Sequence, residues 1–168
     1  MADFSSPRDI ALEALGGDPG ALDRYFKALK ERNTSRGAHM GTHLGIEVLE
    51  VAKDRVVMRL PFREELRRGG GIFHGGAIMG LADHVAGAVF NTDPRVPAAG
   101  ATGLTTDFNV SFLLSASPGE ALIGTGTVLR RGKNVTFMQI EVSGESSKRA
   151  VAICRTTYLT VPRDRLGR

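Results

Sequence analysis

Arg68-Gly69-Gly70-Gly71-Ile72-Phe73-His74-Gly75-Gly76 runs directly into Ala77-Ile78-Met79-Gly80-Leu81-Ala82-Asp83-His84-Val85-Ala86-Gly87-Ala88-Val89-Phe90. The stretch from Ala77 to Phe90 is apolar on nearly every side, and a helix apolar all round is a buried helix. Gly80, Ala82, Ala86, Gly87 and Ala88 also make it unusually small, so that other backbone can approach closely. Asp83 breaks the pattern, with only His84 nearby to offer a counter-charge. A lone buried carboxylate is costly unless it is paired or shifted in pKa. Asp83 therefore marks either a chemical site or a polar contact, as a cap or toward a partner chain.

Working outward, Leu44, Ile46, Val48 and the Leu49–Val51 stretch give one strand, and Arg55–Leu60 a second, with Lys53-Asp54 as the turn. After the helix come four strands at residues 103–115, 120–130, 134–144 and 149–161, separated by Ser117-Pro118-Gly119, Arg131-Gly132-Lys133 and Gly144-Glu145-Ser146-Ser147. Three consecutive hairpins after one helix predict an antiparallel sheet and an α+β class. One long sheet curled around the central apolar helix would bury it on all sides. At the start, Ser6-Pro7 and Asp18-Pro19 are helix-start signals, and Gly16-Gly17 stops the first helix. Leu22, Tyr25, Phe26 and Leu29 form one face of the second, and residues 34–43 read as a loop. The organisation expected is an N-terminal helical extension at 1–43, a domain at 44–162 and a basic tail at 163–168.

The 168 residues fit one domain, and 42% hydrophobic residues suffice for a core without staples. The single cysteine, Cys154, lies in a strand-like apolar run and reads as core, which fits a cytoplasmic protein. No run approaches the roughly 18 apolar residues of a membrane helix. The start at Met1-Ala2-Asp3 has no apolar region of a signal peptide, so no membrane association is expected. The net charge of +4 favours anionic partners. Nucleic acid is disfavoured, since zinc spacings, aromatic RNA-binding strands and a basic helix are all missing from the sequence. A small phosphorylated ligand, or a merely solvated surface, accounts for the scattered Arg67-Arg68 and Arg130-Arg131 groups. Gly132-Lys133-Asn134 fails the P-loop pattern and Gly124-Thr125-Gly126 lacks the third glycine of a dinucleotide fingerprint. No serine-hydrolase elbow or zincin motif occurs, and Gly41 between His39 and His43 argues against a helical metal pair. No metal or cofactor is expected.

Backbone N–H groups at the N-terminus of the Ala77–Phe90 helix lack partners and favour negative charge. Gly75 and Gly76 are therefore placed to bind an oxyanion. His74 beside them is either a structural hydrogen-bonder or a base. Residues 44–161 resemble the hotdog thioesterases of the phenylacetic-acid-degradation type, through His74-Gly75-Gly76, Leu81-Ala82-Asp83, Thr105-Thr106-Asp107-Phe108-Asn109-Val110-Ser111-Phe112, Pro118-Gly119, Arg130-Arg131-Gly132-Lys133 and Thr156-Thr157-Tyr158.

The resemblance implies the hotdog fold and hydrolysis of an acyl-CoA thioester. It assigns Asp83 as general base or nucleophile, the Gly75 amide as oxyanion donor, Thr105 as an assisting hydroxyl, and the Arg131-Gly132-Lys133 turn as a contact to CoA. Arg68 stands where many members carry asparagine and could bind an anion instead. A homodimer, paired into a tetramer, is the assembly implied. Two other readings stay open: a hotdog dehydratase acting on hydroxyacyl thioesters through a histidine, and a non-catalytic acyl-CoA binding module. Phe73, Phe90 and Phe112 suggest an apolar acyl pocket or simply core. By helix rise, Asp83 lies about 12 Å along the axis from Gly75. This is too far for both to meet one carbonyl, so each site is expected to be shared between two chains.

Overall fold

The structure, a computed structural model, describes residues 11, 13–16, 20–35 and 39–166. Residue 11 and residues 13–15 are helical and turn at Gly16; the start signals at Ser6-Pro7 and Asp18-Pro19 lie outside the described residues. Helix α1 (Ala21–Ser35) buries Ala21, Tyr25 and Leu29, one turn apart, while Leu22 faces out. Its buried side meets Val51 and Ala98, the Tyr25 phenol donates to the Asn91 carbonyl at 2.6 Å, and Lys30 Nζ donates to the Leu49 carbonyl at 2.9 Å.

The segment 34–43, read as a loop, contains a further short helix, α2 (Met40–Leu44). His39 caps it: its Nδ1 accepts from the Gly41 N–H, and Thr42 Oγ1 accepts from the His39 N–H. Gly41, which argued against a helix, is required by packing instead. A Cβ there would lie 2.4 Å from Cε1 of His84 on the next long helix.

Strands β1 (Glu47–Ala52) and β2 (Arg55–Leu60) form the first hairpin. The central helix α3 (Gly75–Phe90) and a short turn α4 (Arg95–Ala98) follow. Then come β3 (Ala101–Phe112), β4 (Leu122–Arg131), β5 (Val135–Gly144) and β6 (Ala150–Pro162). The six strands form one sheet in the order β1-β2-β4-β5-β6-β3, every neighbouring pair antiparallel. This corrects the expected run of three hairpins. Of the three expected after the helix, β4–β5 and β5–β6 are hairpins; β4 pairs with β2, and β3 lies at the far edge beside β6. Helix packing is the reason. With β4 beside β2 the strands centre beneath α3, so Val56, Met58, Leu60, Leu122, Met138, Ile140 and Cys154 share one core with Leu81, Val85 and Val89.

The helix lies close to β4 because two strand positions carry no side chain. A Cβ on Gly126 would sit 2.5 Å from Val89 Cγ2 and 2.7 Å from Val85 Cγ1; on Gly124 it would meet Val85 Cγ2 at 3.0 Å. Among the described residues no helix is long and apolar enough to cross a membrane. Because valine γ-carbons have little room to yield, Gly126→Ala is expected to destabilise the fold by about 2 kcal/mol, the usual scale for overpacking. Urea unfolding measures this; an unchanged midpoint would refute the close packing.

Candidate active site

Helix α3 is not buried on all sides. The centre of the sheet covers one side, and Gly76, Met79 and Asp83 stand exposed along a stripe away from it, with Met79 41% exposed. The expectation that the curled sheet buries this helix on all sides is therefore corrected. The spacing of Asp83 from Leu81 and Val85 turns it away from the residues that face the centre of the sheet.

The structure sets Thr105 against Asp83. Thr105 Oγ1 donates to Asp83 Oδ1 at 3.2 Å. It also brings a residue that sequence reasoning missed: the Tyr158 hydroxyl donates to the same Oδ1 at 3.2 Å, and lies 3.4 Å from the Asp83 carbonyl. Tyr158 faces Thr105 across the β3–β6 ladder, just before a bulge between Thr105 and Asp107. Bulges beside functional sites re-aim side chains. The sequence signal was the alternation of β6, which points Thr156 and Tyr158 to the buried face.

At the N-terminus of α3, His74 Nδ1 accepts the Gly76 N–H at 2.9 Å. His74 is thus the helix cap, and Gly76 spends its amide on that bond. The Gly75 N–H meets no acceptor among the described residues. A Cβ on Gly75 would lie 3.4 Å from Phe112 Cζ, so the half-exposed Phe112 ring flanks this amide. Phe73 and Phe90, by contrast, belong to the core. Arg68 is exposed in the loop before the helix, where Gly70 and Gly71 adopt positive φ.

The structure gives Arg131 a role other than contacting CoA. Its Nε donates to Asp54 Oδ1 at 2.7 Å, Nη1 to the Phe90 carbonyl at 3.1 Å, and Nη2 to the Val89 carbonyl at 3.0 Å and Thr92 Oγ1 at 3.1 Å. With the side chain only 12% exposed, the guanidinium is spent on closing the C-terminal end of α3, where a cation is favoured. Gly132 and Lys133 are exposed at the β4–β5 turn, as is Arg130.

The fold and these groups agree with the relatives of the chain. Residues 70–151 match the thioesterase superfamily. A protein of Deinococcus radiodurans whose name marks it as a candidate esterase is 31% identical over 120 residues, covering 70% of this chain and 71% of that one. The chain belongs to the thioesterase superfamily. Human acyl-coenzyme A thioesterase 13 is 26% identical over 112 residues, 67% of this chain and 77% of its own. The structure of the Escherichia coli PaaI protein from the phenylacetic acid degradation operon superposes with a TM-score of 0.69 at 18% identity, covering 93% of this chain and 96% of that one. The fold is that of the hotdog thioesterases.

Beside Asp83, the half-buried His84 stacks on His39 with ring centroids 5.7 Å apart and planes 17° apart. Burial first, and then the His39 imidazole, hold the His84 pKa below its ordinary value, against a smaller upward pull from Asp83. The folded protein therefore takes up this proton less readily than the unfolded chain, whose histidine titrates near about 6.5. The contribution is whole above that pH and is lost as the pH falls below it. Unfolding free energy from urea titrations is expected to fall below about pH 6.5, and His84→Gln to flatten part of that slope. An unaltered slope in His84→Gln would show that another group carries it.

Proposed function

We propose that the protein hydrolyses an acyl-CoA thioester to the free acid and CoA. The observation that carries this reading is the presence, on one helix of a thioesterase-superfamily fold, of an exposed, doubly hydrogen-bonded Asp83 and a Gly75 amide with no acceptor among the described residues. The name of the human relative supports acyl-CoA as the substrate class. The Gly75 N–H, at the positive end of α3, polarises the thioester carbonyl. Asp83 either takes a proton from the attacking water or attacks the carbonyl carbon itself, giving a mixed anhydride that water then opens. The CoA thiolate leaves without needing a strong acid.

One chain does not bring the two groups together. Asp83 lies about 12 Å along the axis from Gly75. The groups that accompany β3 supply the arrangement. Phe112 at its end flanks Gly75, Thr105 touches Asp83, and a Cβ on Gly103 would meet Phe90 at 2.7 Å, so β3 runs antiparallel beside α3 along its length. β3 is also an edge strand, paired only with β6. A second copy pairing edge to edge with it, about a two-fold axis near Phe108 and Asn109, sets Thr105 of one chain opposite Phe112 of the other. Asp83 of one chain then faces Gly75 of its partner. In that dimer Lys133, two residues past the Arg131 that closes the C-terminal end of α3, would approach the site from the chain that supplies Asp83 and offer a cation to CoA phosphates, with Gly132 and Arg68 as further proposed contacts. Phe137, Leu159 and Leu104, 43%, 37% and 43% exposed, give the outer sheet face an apolar surface suited to pairing two dimers.

Free-thiol release from acetyl-, hexanoyl-, palmitoyl- and phenylacetyl-CoA tests the activity, since dehydration or simple binding releases no thiol. Asp83→Asn is expected to lose on the order of a hundredfold or more in turnover while remaining folded; near-full activity would refute the role of Asp83. Complementation tests the shared site. Asp83→Ala and Gly75→Pro are each expected to be inactive, the second without harm to the helix, since proline is tolerated in the first turn. Co-refolded, about half the dimers are hybrids with one intact site, and activity returns to roughly a quarter of the unsubstituted protein under two-fold symmetry. Hybrids that form without activity would place both groups within one chain.

A further inference from the structure

We infer that Tyr158 is a positioning residue for the reaction, fixing the Asp83 carboxylate so that Oδ2 is the oxygen presented to substrate. This rests on the reading of Asp83 as base or nucleophile. The carboxylate has two oxygens, and the chain treats them differently. Oδ1 accepts from both Thr105 Oγ1 and the Tyr158 hydroxyl, each at 3.2 Å. Oδ2 accepts from no group among the described residues.

The tyrosine is itself held in place. It is 5% exposed, and its ring is tilted 37° against Phe90 at a centroid distance of 5.5 Å. Gly103 on β3 clamps the same ring: a Cβ there would lie 2.7 Å from Tyr158 Cδ2 and 2.7 Å from Phe90 Cε1. Gly87 leaves open the helix surface that the hydroxyl reaches, since a Cβ there would stand 3.6 Å from it. Burial, the largest influence, holds the phenol pKa well above its ordinary value; Thr105 lowers it and Asp83 raises it, so the group stays a donor across the working pH range.

An exposed aspartate with no such contacts turns freely about its terminal torsion. Two donors arriving on one oxygen, from adjacent strands at a bulge, restrict that torsion and leave Oδ2 as the oxygen free to act. A buried tyrosine ordinarily finds some hydrogen-bond partner. A purely structural bond would stabilise the fold without affecting turnover, and kinetics separate the two roles.

Tyr158→Phe keeps the ring and removes the hydroxyl. With whichever acyl-CoA of the panel the unsubstituted protein turns over fastest, kcat is expected to fall about tenfold, the scale of one net hydrogen bond, with KM within about twofold. In the Asp83→Asn background the same change is expected to leave the residual kcat unaltered, because Tyr158 acts through the carboxylate. The double variant Tyr158→Phe, Thr105→Val should fall below either single variant. An unchanged kcat in Tyr158→Phe, or an equal loss in the Asp83→Asn background, would overturn the assignment while leaving the thioesterase reading intact. Full activity in Asp83→Asn alone would overturn both.

Discussion

Gly124 and Gly126 carry no side chain where β4 passes beneath the central helix, and the distance between the two layers follows from that. With the strand backbone so near, Leu81, Val85 and Val89 fill the interface completely and fix the rotation of the helix about its own axis. Asp83 lies two positions from both Leu81 and Val85, so it must point away from β4, and it meets the far edge of the sheet at Thr105 and Tyr158 instead. A helix held farther off could turn, burying the carboxylate or exposing a leucine. The orientation of the proposed reactive group thus follows from packing on the opposite face of the same helix.

The two ends of that helix are finished in opposite ways. At the C-terminal end the carbonyls of Val89 and Phe90 accept from Arg131, Asn91 Nδ2 donates to the Gly87 carbonyl at 2.7 Å, and Asp54 and Asp93 flank the guanidinium. At the N-terminal end the imidazole of His74 satisfies the Gly76 amide and leaves that of Gly75 open. Partial charge of opposite sign resides at the two ends. The chain neutralises the negative end with a buried cation and keeps the positive end available, as an anion-binding helix requires.

The stretch from Arg68 to Phe90 carried most of the fold and of the proposed site, because its composition is extreme: an apolar, small-residue helix has few alternatives to a core position. Turns and strand lengths were legible for the same local reason. Strand order was not, because hairpin signals describe neighbours in sequence, whereas β3 is carried to the far edge by the packing of α3. The helix at Met40–Leu44 was missed because its cap is a histidine and its glycine makes room for His84, a residue 43 positions on in the chain. Arg131 read as a free cation because nothing local shows that helix carbonyls and Asp54 converge on it. Tyr158 was quoted only as the end of a motif and given no role for the same reason, since its partner Asp83 stands 75 positions away.

The exposed stripe of α3 and the open edge of β3 are one continuous surface, joined where Thr105 touches Asp83. That continuity constrains any pairing of two chains. An unpaired strand edge is a template for another strand, and a strand added to β3 would come to lie beside the stripe of Gly76, Met79 and Asp83. If the added strand is β3 of a second copy, two-fold symmetry makes each helix lie antiparallel to the other. Gly80 and Gly87 are taken up within the chain by Leu44 and the Tyr158 hydroxyl, so the face left for a second helix carries Gly76, Met79 and Asp83. Asp83 then leaves water for a surface whose nearest charge is the positive end of the partner helix. Desolvation of the carboxylate and its attraction to that end oppose one another, so the same contact that completes the proposed site also offsets much of the cost of burying its acid.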